Sequence, residues 1–517
     1  MGPAGRQAVG DHGRVQAGPG IRELVLGDDA QLPPRAFGHI RLSRGPPGRR
    51  TIRPDICLRV GKPAFRPPPA GGDGCDRDGE ADLRRRQCPS GVIQGGFRLP
   101  TEECLKMRND SPAMIAEPQG EGIDVDSAGT AAPSRRGLAV DRNVLGIIGF
   151  ALFSRLLLAG IAFISFATSA NKDARELGID PGYIREIAAP LSYGDVTWYM
   201  DIARNGYEIR PFSDDEKANW SFYPLWPFVL RLCNLLFSEM LISGILASTA
   251  FFMAGLAVLY RLVSRDYGAE IARTAAVLIV VFPASYFFMR PGPESLFLFL
   301  VVVSFYLAKR GNWLAAGIVG GLATLTRLQG VLLVIPLVYM YYQQYRQHKT
   351  HPWRAASLVL IPLAQAGFMI HLYSLTGNPL ASVRMQGVWD NSLALPFTAM
   401  ARFLAKPVLI SYYGWDLTPI SFLAAGGAVL LTLVMFKKYA LPVEYLLYTV
   451  LSVTLIISRG NLNGTLRFLA VVFPLFLLVA LMLRGREFIG KVVLYTLSAL
   501  QIFYFLAFIH LYNWAAT

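Results

Sequence analysis

"AAVLIVVFPASYFFMRPGPESLFLFLVVVSFYLAKRGNW", residues 275–313, admits two opposed readings. Its start, "AAVLIVVFP" (275–283), has the β-branched composition of a buried strand. Yet the apolar runs on either side of "RPGPE" (290–294) extend over 271–288 and 294–309, and the second ends in the basic gap "AKRGNW". A membrane-crossing helix needs about 20 mostly apolar residues, fewer when snorkelling groups flank it. Backbone groups find no water partner in lipid, so runs of this kind are helices and their Val/Ile content does not argue for strands. The fold expected is all-α, a polytopic membrane helical bundle.

Runs of the same kind recur near 144–168, 242–263, 313–326, 329–344, 355–374, 417–436, 441–458, 466–484 and 489–512. With the two above, and allowing for close spacing, this gives about ten to twelve spans. "FYPLWPFVLRLCNLLF" (222–237) is apolar too, but a full crossing there would invert everything after it, so a short or interfacial helix is expected. The gaps at 261–273, 308–313, 345–354, 436–440 and 483–491 are short and basic, and Arg135, Arg136 and Arg142 precede the first span. Placing all of these in the cytoplasm gives one consistent alternation. The opposite face then collects Asp195, Asp201, Glu294, Arg327, Asp390, Asp416 and Arg467.

The totals, 517 residues with 53% hydrophobic and 17% charged, average over two unlike pieces. Residues 1–143 hold 22 Lys+Arg against 18 Asp+Glu and are crowded with Gly and Pro. Stretches such as "GKPAFRPPPAGGDGCDRDGE" (61–80) cannot bury enough surface to offset chain entropy. They read as a disordered tail, or as an extension created by a start codon read too early, the true start then being near Met107 or Met114. The membrane piece is 144–517. The formal charge of +14 is not a nucleic-acid footprint, because in that piece the basic residues sit between spans. None of the five Cys forms a C-x-x-C pair and no His falls in a ligand spacing, so no metal site is expected.

The external face carries one unusual loop, "LSYGDVTWYMDIARNGYEIRPF" (191–212). "DVTWYMDIAR" reads as a short helix stopped at Asn205–Gly206. Asp195 is then either its N-cap, with Trp198 and Tyr199 in an interfacial aromatic belt, or a general base partly desolvated by those rings. Residues alone leave both open.

"D-x-x-W-Y-x-x-I-A-x-N-G-Y" at 195–207 and "FYPLWP" at 222–227 resemble the loop of the phosphatidylinositol glycan class V type mannosyltransferases and their bacterial relatives. "FPASYFFMRPGPESLFLFL" (282–300), "GGLATLTRLQGVLL" (320–333) and "LRFLAVVFPLFLLVA" (466–480) fit the same pattern in order. The chain departs from it at Gly194, where the family has Trp, and at Gly292–Pro293, where it has an aromatic and a small polar residue. The resemblance implies a GT-C type membrane glycosyltransferase with Asp195 as the catalytic residue. It implies a polyprenyl-phosphate sugar, commonly mannose, as donor substrate, with no further cofactor.

A lipid phosphate leaves as a stable anion, so a single carboxylate base can suffice where glycosidases need a base and an acid. Its phosphate needs a positive partner at the membrane surface, and Arg327 and Arg467 are placed for that. Trp198, Tyr199, Tyr207 and Glu294 complete the expected substrate-binding set. Trp389–Asp390 and Trp415–Asp416 suit sugar recognition or an ordinary interfacial turn. The expected partners are the bilayer, the lipid-linked sugar, and a glycolipid, glycan or protein acceptor, with no nucleic acid. The "YNWAAT" end (512–517) carries no ER-retrieval signal, which favours a bacterial plasma membrane with the site on the extracytoplasmic side. The competing class is a transporter or flippase of lipid-linked sugar, which would call for internal repeats and helices broken at mid-membrane; no repeat stands out.

Overall fold

The computed structural model describes residues 141–168, 188–237, 239–348, 351–389, 391–407, 410–411, 414–415, 417–439 and 441–511. The reading of 1–140, and the Asp390 and Asp416 side chains, fall outside them. The regular structure of the described residues is helical apart from one isolated bridge, Leu393 with Arg459, and one antiparallel hairpin of two-residue strands, β1 (Ile410–Ser411) and β2 (Gly414–Trp415). The helices are α1 (Arg142–Thr168), α2 (Asp195–Asn205), α3 (Leu225–Phe237), α4 (Met240–Val281), α5 (Glu294–Lys309), α6 (Trp313–Thr326), α7 (Val334–His348) and α8 (Leu360–Thr376). There follow α9 (Ala381–Val388), α10 (Thr398–Ala405), α11 (Thr418–Lys437), α12 (Val443–Ile457), α13 (Thr465–Leu469), α14 (Phe473–Leu483) and α15 (Glu487–Leu511).

Five stretches, Arg142–Ser165, Met240–Val281, Trp353–Thr376, Thr418–Lys437 and Glu487–Ile509, are long and apolar enough to cross a membrane. They define a multi-pass membrane protein. The other expected spans are shorter or interrupted. The chain over 328–344 begins with a 3-10 turn, Leu328–Leu333, before α7. That over 466–484 divides into α13 and α14 around Pro474 at the start of the second helix. The two spans expected at 242–263 and 271–288 are the two arms of α4, which meet at a break at Gly268 with a positive φ of 83°; the second arm ends at Val281, and Pro283–Phe288 follows as a 3-10 turn.

The bundle has an apolar core that includes scattered hydroxyls and, unlike a water-soluble bundle, also exposes many large apolar side chains. Leu152, Phe153 and Leu156 of α1 face outward, while Ser248, Ser295, Thr449 and Ser452 are fully buried. Buried hydroxyls such as Ser304 and Thr449 turn back on carbonyls one turn earlier, which satisfies them inside the helix. α4 is the central element and packs against α1, α3, α5 and α14. α6 approaches the 352–364 segment through small residues: a Cβ on Gly317 would collide with the Ser357 carbonyl, and one on Gly320 with the Ile361 side chain. Phe305, Tyr445, Tyr448 and Phe473 lock α5, α12 and α14 with ring centroids 5.3–6.0 Å apart.

α3 is short, as expected for 222–237. Thirteen residues extend about 20 Å, less than the hydrocarbon thickness. It buries Trp226 and Leu230 against α4 and leaves Phe228, Leu232, Leu235 and Leu236 exposed.

Candidate active site

Five chain segments bring charge to one end of the bundle. Asp195 is the first residue of α2 and Glu294 the first of α5. Arg327 leaves α6 in extended geometry, Arg467 lies in α13, and Arg459 follows α12. The Arg467 guanidinium donates through Nη1 to Asp195 Oδ2 at 2.5 Å and through Nε to Glu294 Oε1 at 2.5 Å. Arg327 Nη1 donates to that same Glu294 oxygen at 2.6 Å. The result is an alternating chain, Asp195–Arg467–Glu294–Arg327, in which each carboxylate is matched by a guanidinium.

Asp195 does not cap its helix. The cap position is Gly194, whose φ of 67° with ψ of −134° is a conformation open to glycine and strained for a side-chain-bearing residue. The Gly194 carbonyl accepts from Thr197 N and Thr197 Oγ1, so the first turn closes without the aspartate. This turn geometry favours a glycine at 194. It also leaves the carboxylate, 40% exposed, free to face both Arg467 and the adjoining cavity.

That cavity, of about 190 Å³, is bounded by Asp195 and Tyr199 of α2, by Arg327 and Gln329, by Arg459 and Arg467, and by the rings of Phe222 and Trp389. Burial pushes the Tyr199 phenol well up, opposed by Arg327 and reinforced by Asp195, so it stays protonated and acts as a hydrogen-bonding group. Three buried atoms of the wall, Ser221 Oγ, Gln329 Nε2 and Trp389 Nε1, have no hydrogen-bond partner among the described residues. Buried polar atoms of this kind need a partner, and hydroxyl groups of a ligand provide one.

Two arginines that the sequence did not single out complete the arrangement. Arg459 stacks on Phe468 at 4.3 Å, with Arg327 on the same ring at 4.8 Å, and its Nη2 donates to Asn391 Oδ1 at 2.5 Å. No carboxylate pairs with it among the described residues. Burial, and then the charges of Arg467 and Arg327, press its guanidinium below the ordinary value, and Asp195 only partly offsets them. An anion in the cavity relieves that repulsion.

Arg290, 1% exposed, lies between the rings of Phe287 and Phe508 at 4.9 and 4.6 Å. It donates to the carbonyl of Leu191 at 3.1 Å and to that of Tyr193, clamping the turn that leads into Asp195. Lys has no fork to span both carbonyls. Arg290→Lys should therefore loosen the turn that leads into Asp195 and lower the Tm by about 2–3 °C, read by thermal unfolding of the two forms in detergent.

The expected site residues divide accordingly. Asp195, Tyr199, Arg327 and Arg467 reach the cavity; Glu294, 1% exposed, lies behind it and holds two of the arginines. Gly292 makes room for that carboxylate, since a Cβ there would collide with Glu294 Oε2. Trp198 backs the wall, stacked on Phe222 at 5.9 Å and edge-on to Trp389 at 5.2 Å. Tyr207 donates its hydroxyl to the Phe222 carbonyl at 2.6 Å and packs on Phe368, so it braces the loop away from the cavity. Asp201 likewise accepts from Asn205 and Asn219 within the loop. Among the described residues no three His, Cys, Asp or Glu side chains assemble as a metal-ligand set.

Comparison with known proteins adds the following. Residues 221–368, less than half of the chain, match a family model described as dolichyl-phosphate-mannose-protein mannosyltransferase. No curated protein matches the chain in sequence. Among solved structures it is similar to ArnT from Cupriavidus metallidurans bound to undecaprenyl phosphate, at 16% identity over 63% of this chain and 59% of that one, with a TM-score of 0.38. It is also similar to the oligosaccharyltransferase AglB from Archaeoglobus fulgidus in complex with an inhibitory peptide and a dolichol-phosphate. Identity there is 12% over 71% of this chain and 56% of that one, with a TM-score of 0.37. The chain thus spans less than two thirds of either protein. Likeness at this level assigns neither activity nor substrate.

Proposed function

We propose that the chain is a membrane glycosyltransferase that moves a sugar, mannose on the favoured reading, from a polyprenyl-phosphate donor to an acceptor hydroxyl. The reading rests on one observation above the rest. A half-exposed carboxylate faces a cavity that also offers, among the described residues, a guanidinium without a carboxylate partner and three unpartnered hydrogen-bonding atoms. An ionised phosphodiester bearing a sugar supplies what each of these groups requires. The match of 221–368 to a lipid-phosphate-mannose mannosyltransferase model, and the class V resemblance of 195–207, point to the same chemistry.

In this mechanism Asp195 takes the proton of the acceptor hydroxyl as its oxygen attacks C1 of the sugar. The C1–O bond to phosphate breaks on the opposite face, inverting the anomeric centre, and the lipid phosphate leaves as an anion. Arg459 and Arg327 stabilise the charge growing on that phosphate, where Arg suits the geometry of its oxygens. Arg467 and Glu294 hold Asp195 and Arg327 in place. On this reading the transferase occupies 144–517, the basic gaps favour a cavity on the extracytoplasmic face, and the membrane is a bacterial plasma membrane. The acceptor is a glycolipid, a glycan or a protein.

Arg459→Gln should lower kcat/KM for the lipid-phosphate donor by about 10–100-fold, the worth of one charge-assisted hydrogen bond. The acceptor KM should stay near the wild-type value in the same assay. The function itself is tested by reconstituting the full chain in liposomes with polyprenyl-phosphate mannose or nucleotide-linked mannose and an acceptor-containing membrane extract. Labelled product should form from the lipid-linked donor alone. Export of intact donor across the bilayer without any new glycoside would support a flippase instead.

A further inference from the structure

A second and larger cavity, of about 520 Å³, opens at the other end of α5. Glu294 begins that helix and Lys309 ends it, so the two cavities are separated by about 22 Å of helix. Arg261 and Arg265 of α4, Lys309 and Arg310 at the end of α5, and Asp141 just before α1 line the second cavity. Four cations thus face one carboxylate. Lys309 is held by Asp266, and the Arg310 guanidinium is steadied over the Tyr306 ring at 4.6 Å. Arg261 and Arg265 stand four residues apart on one helix face, a mildly unfavourable pair of like charges that an anion between them relieves. Lys309 and Arg310 answer the negative end of the α5 dipole, and Arg265, three residues before the break at Gly268, answers that of the first arm of α4, so the two helix ends bring their cations to one cavity.

The wall also shows what kind of anion fits. Asp141 lies on the same face of α1 as Leu145, four residues on, and Leu152 and Leu156 continue that face. These leucines are 54%, 46% and 63% exposed, an apolar strip that starts at the basic cavity and runs along a membrane-crossing helix. A phosphate in the cavity and a hydrocarbon chain on the strip belong to one molecule. We infer that this cavity binds the phosphate headgroup of an anionic phospholipid, with an acyl chain along the Leu145–Leu152–Leu156 face of α1. The site is independent of the proposed transfer chemistry.

Thermal unfolding of the full chain in mild detergent tests it. Added phosphatidylglycerol should raise the Tm by about 2–5 °C, a shift that phosphatidylcholine and inorganic phosphate do not produce. The Arg261→Gln/Arg265→Gln double variant should lose that increment, and Arg310→Gln should lose part of it. Equal stabilisation by phosphatidylcholine would mean a general lipid effect, and an equal shift with inorganic phosphate would mean an anion site without a lipid. Either result overturns the inference, as does a phosphatidylglycerol shift that survives in both variants.

Discussion

Asp195→Asn should reduce sugar transfer by about a thousandfold, inside the range that a positioned general base supplies. The substitution keeps the shape of the side chain and an oxygen for Arg467 Nη1, so the donor KM and the thermal stability should change little. The test separates two roles for the same residue. Asn caps a helix as well as Asp does, so an aspartate retained for capping would be replaced without loss. The structure has already moved the cap to Gly194, and the carboxylate points to Arg467 and the cavity. Asp195→Glu should restore a fraction of the activity, because a base is present again but displaced by one methylene.

Glu294→Gln should be the most destabilising polar substitution at this end of the bundle. One carboxylate oxygen accepts from both Arg327 and Arg467, and the residue is 1% exposed. Neutralising it leaves two guanidinium groups sharing the single charge of Asp195. Breaking a buried pair in this way costs about 3–5 kcal/mol. For a chain of this size the Tm should fall by roughly 4–6 °C, read by thermal unfolding in detergent. Transfer should fall with it, since Arg467 drawn fully onto Asp195 hinders proton uptake. Glu294→Asp should not rescue either property, because the shorter side chain cannot reach both arginines from the start of α5.

Much of the bundle was legible because lipid imposes a simple rule on length and polarity. Runs such as 313–326, 417–436 and 441–458 needed no partner to be recognised, and each is a helix within a few residues of its expected limits. The breaks were harder to read. Pro474, and the close approach of Gly330 to the α6 backbone, divide runs that composition alone would continue. The loop acid could be singled out, since Asp195 is embedded among rings in a short polar segment. Arg467 was read as a phosphate contact and its pairing with Asp195 was not, because the two lie 272 residues apart and nothing periodic links two helix ends. Arg459 and Arg290 carried no local signal, one being a loop arginine in "SRGNLNG" and the other a span-end arginine of the sort that often snorkels. Trp198 and Tyr207 were read as substrate contacts from aromatic content. Which ring faces the cavity and which braces it depends on Phe222, Phe368 and Trp389, brought in from distant segments.

The central claim is that the cavity at Asp195 transfers sugar from a lipid phosphate. It is tested most directly in liposomes holding wild-type chain or the Asp195→Asn variant at equal, folded amounts, by following labelled polyprenyl-phosphate mannose in a single turnover. Both forms should bind the donor, and only the wild type should convert it, releasing polyprenyl phosphate in step with a new glycoside. Equal conversion by the two forms, or no transfer by the wild type from any polyprenyl-phosphate sugar supplied with acceptor extract, would contradict it.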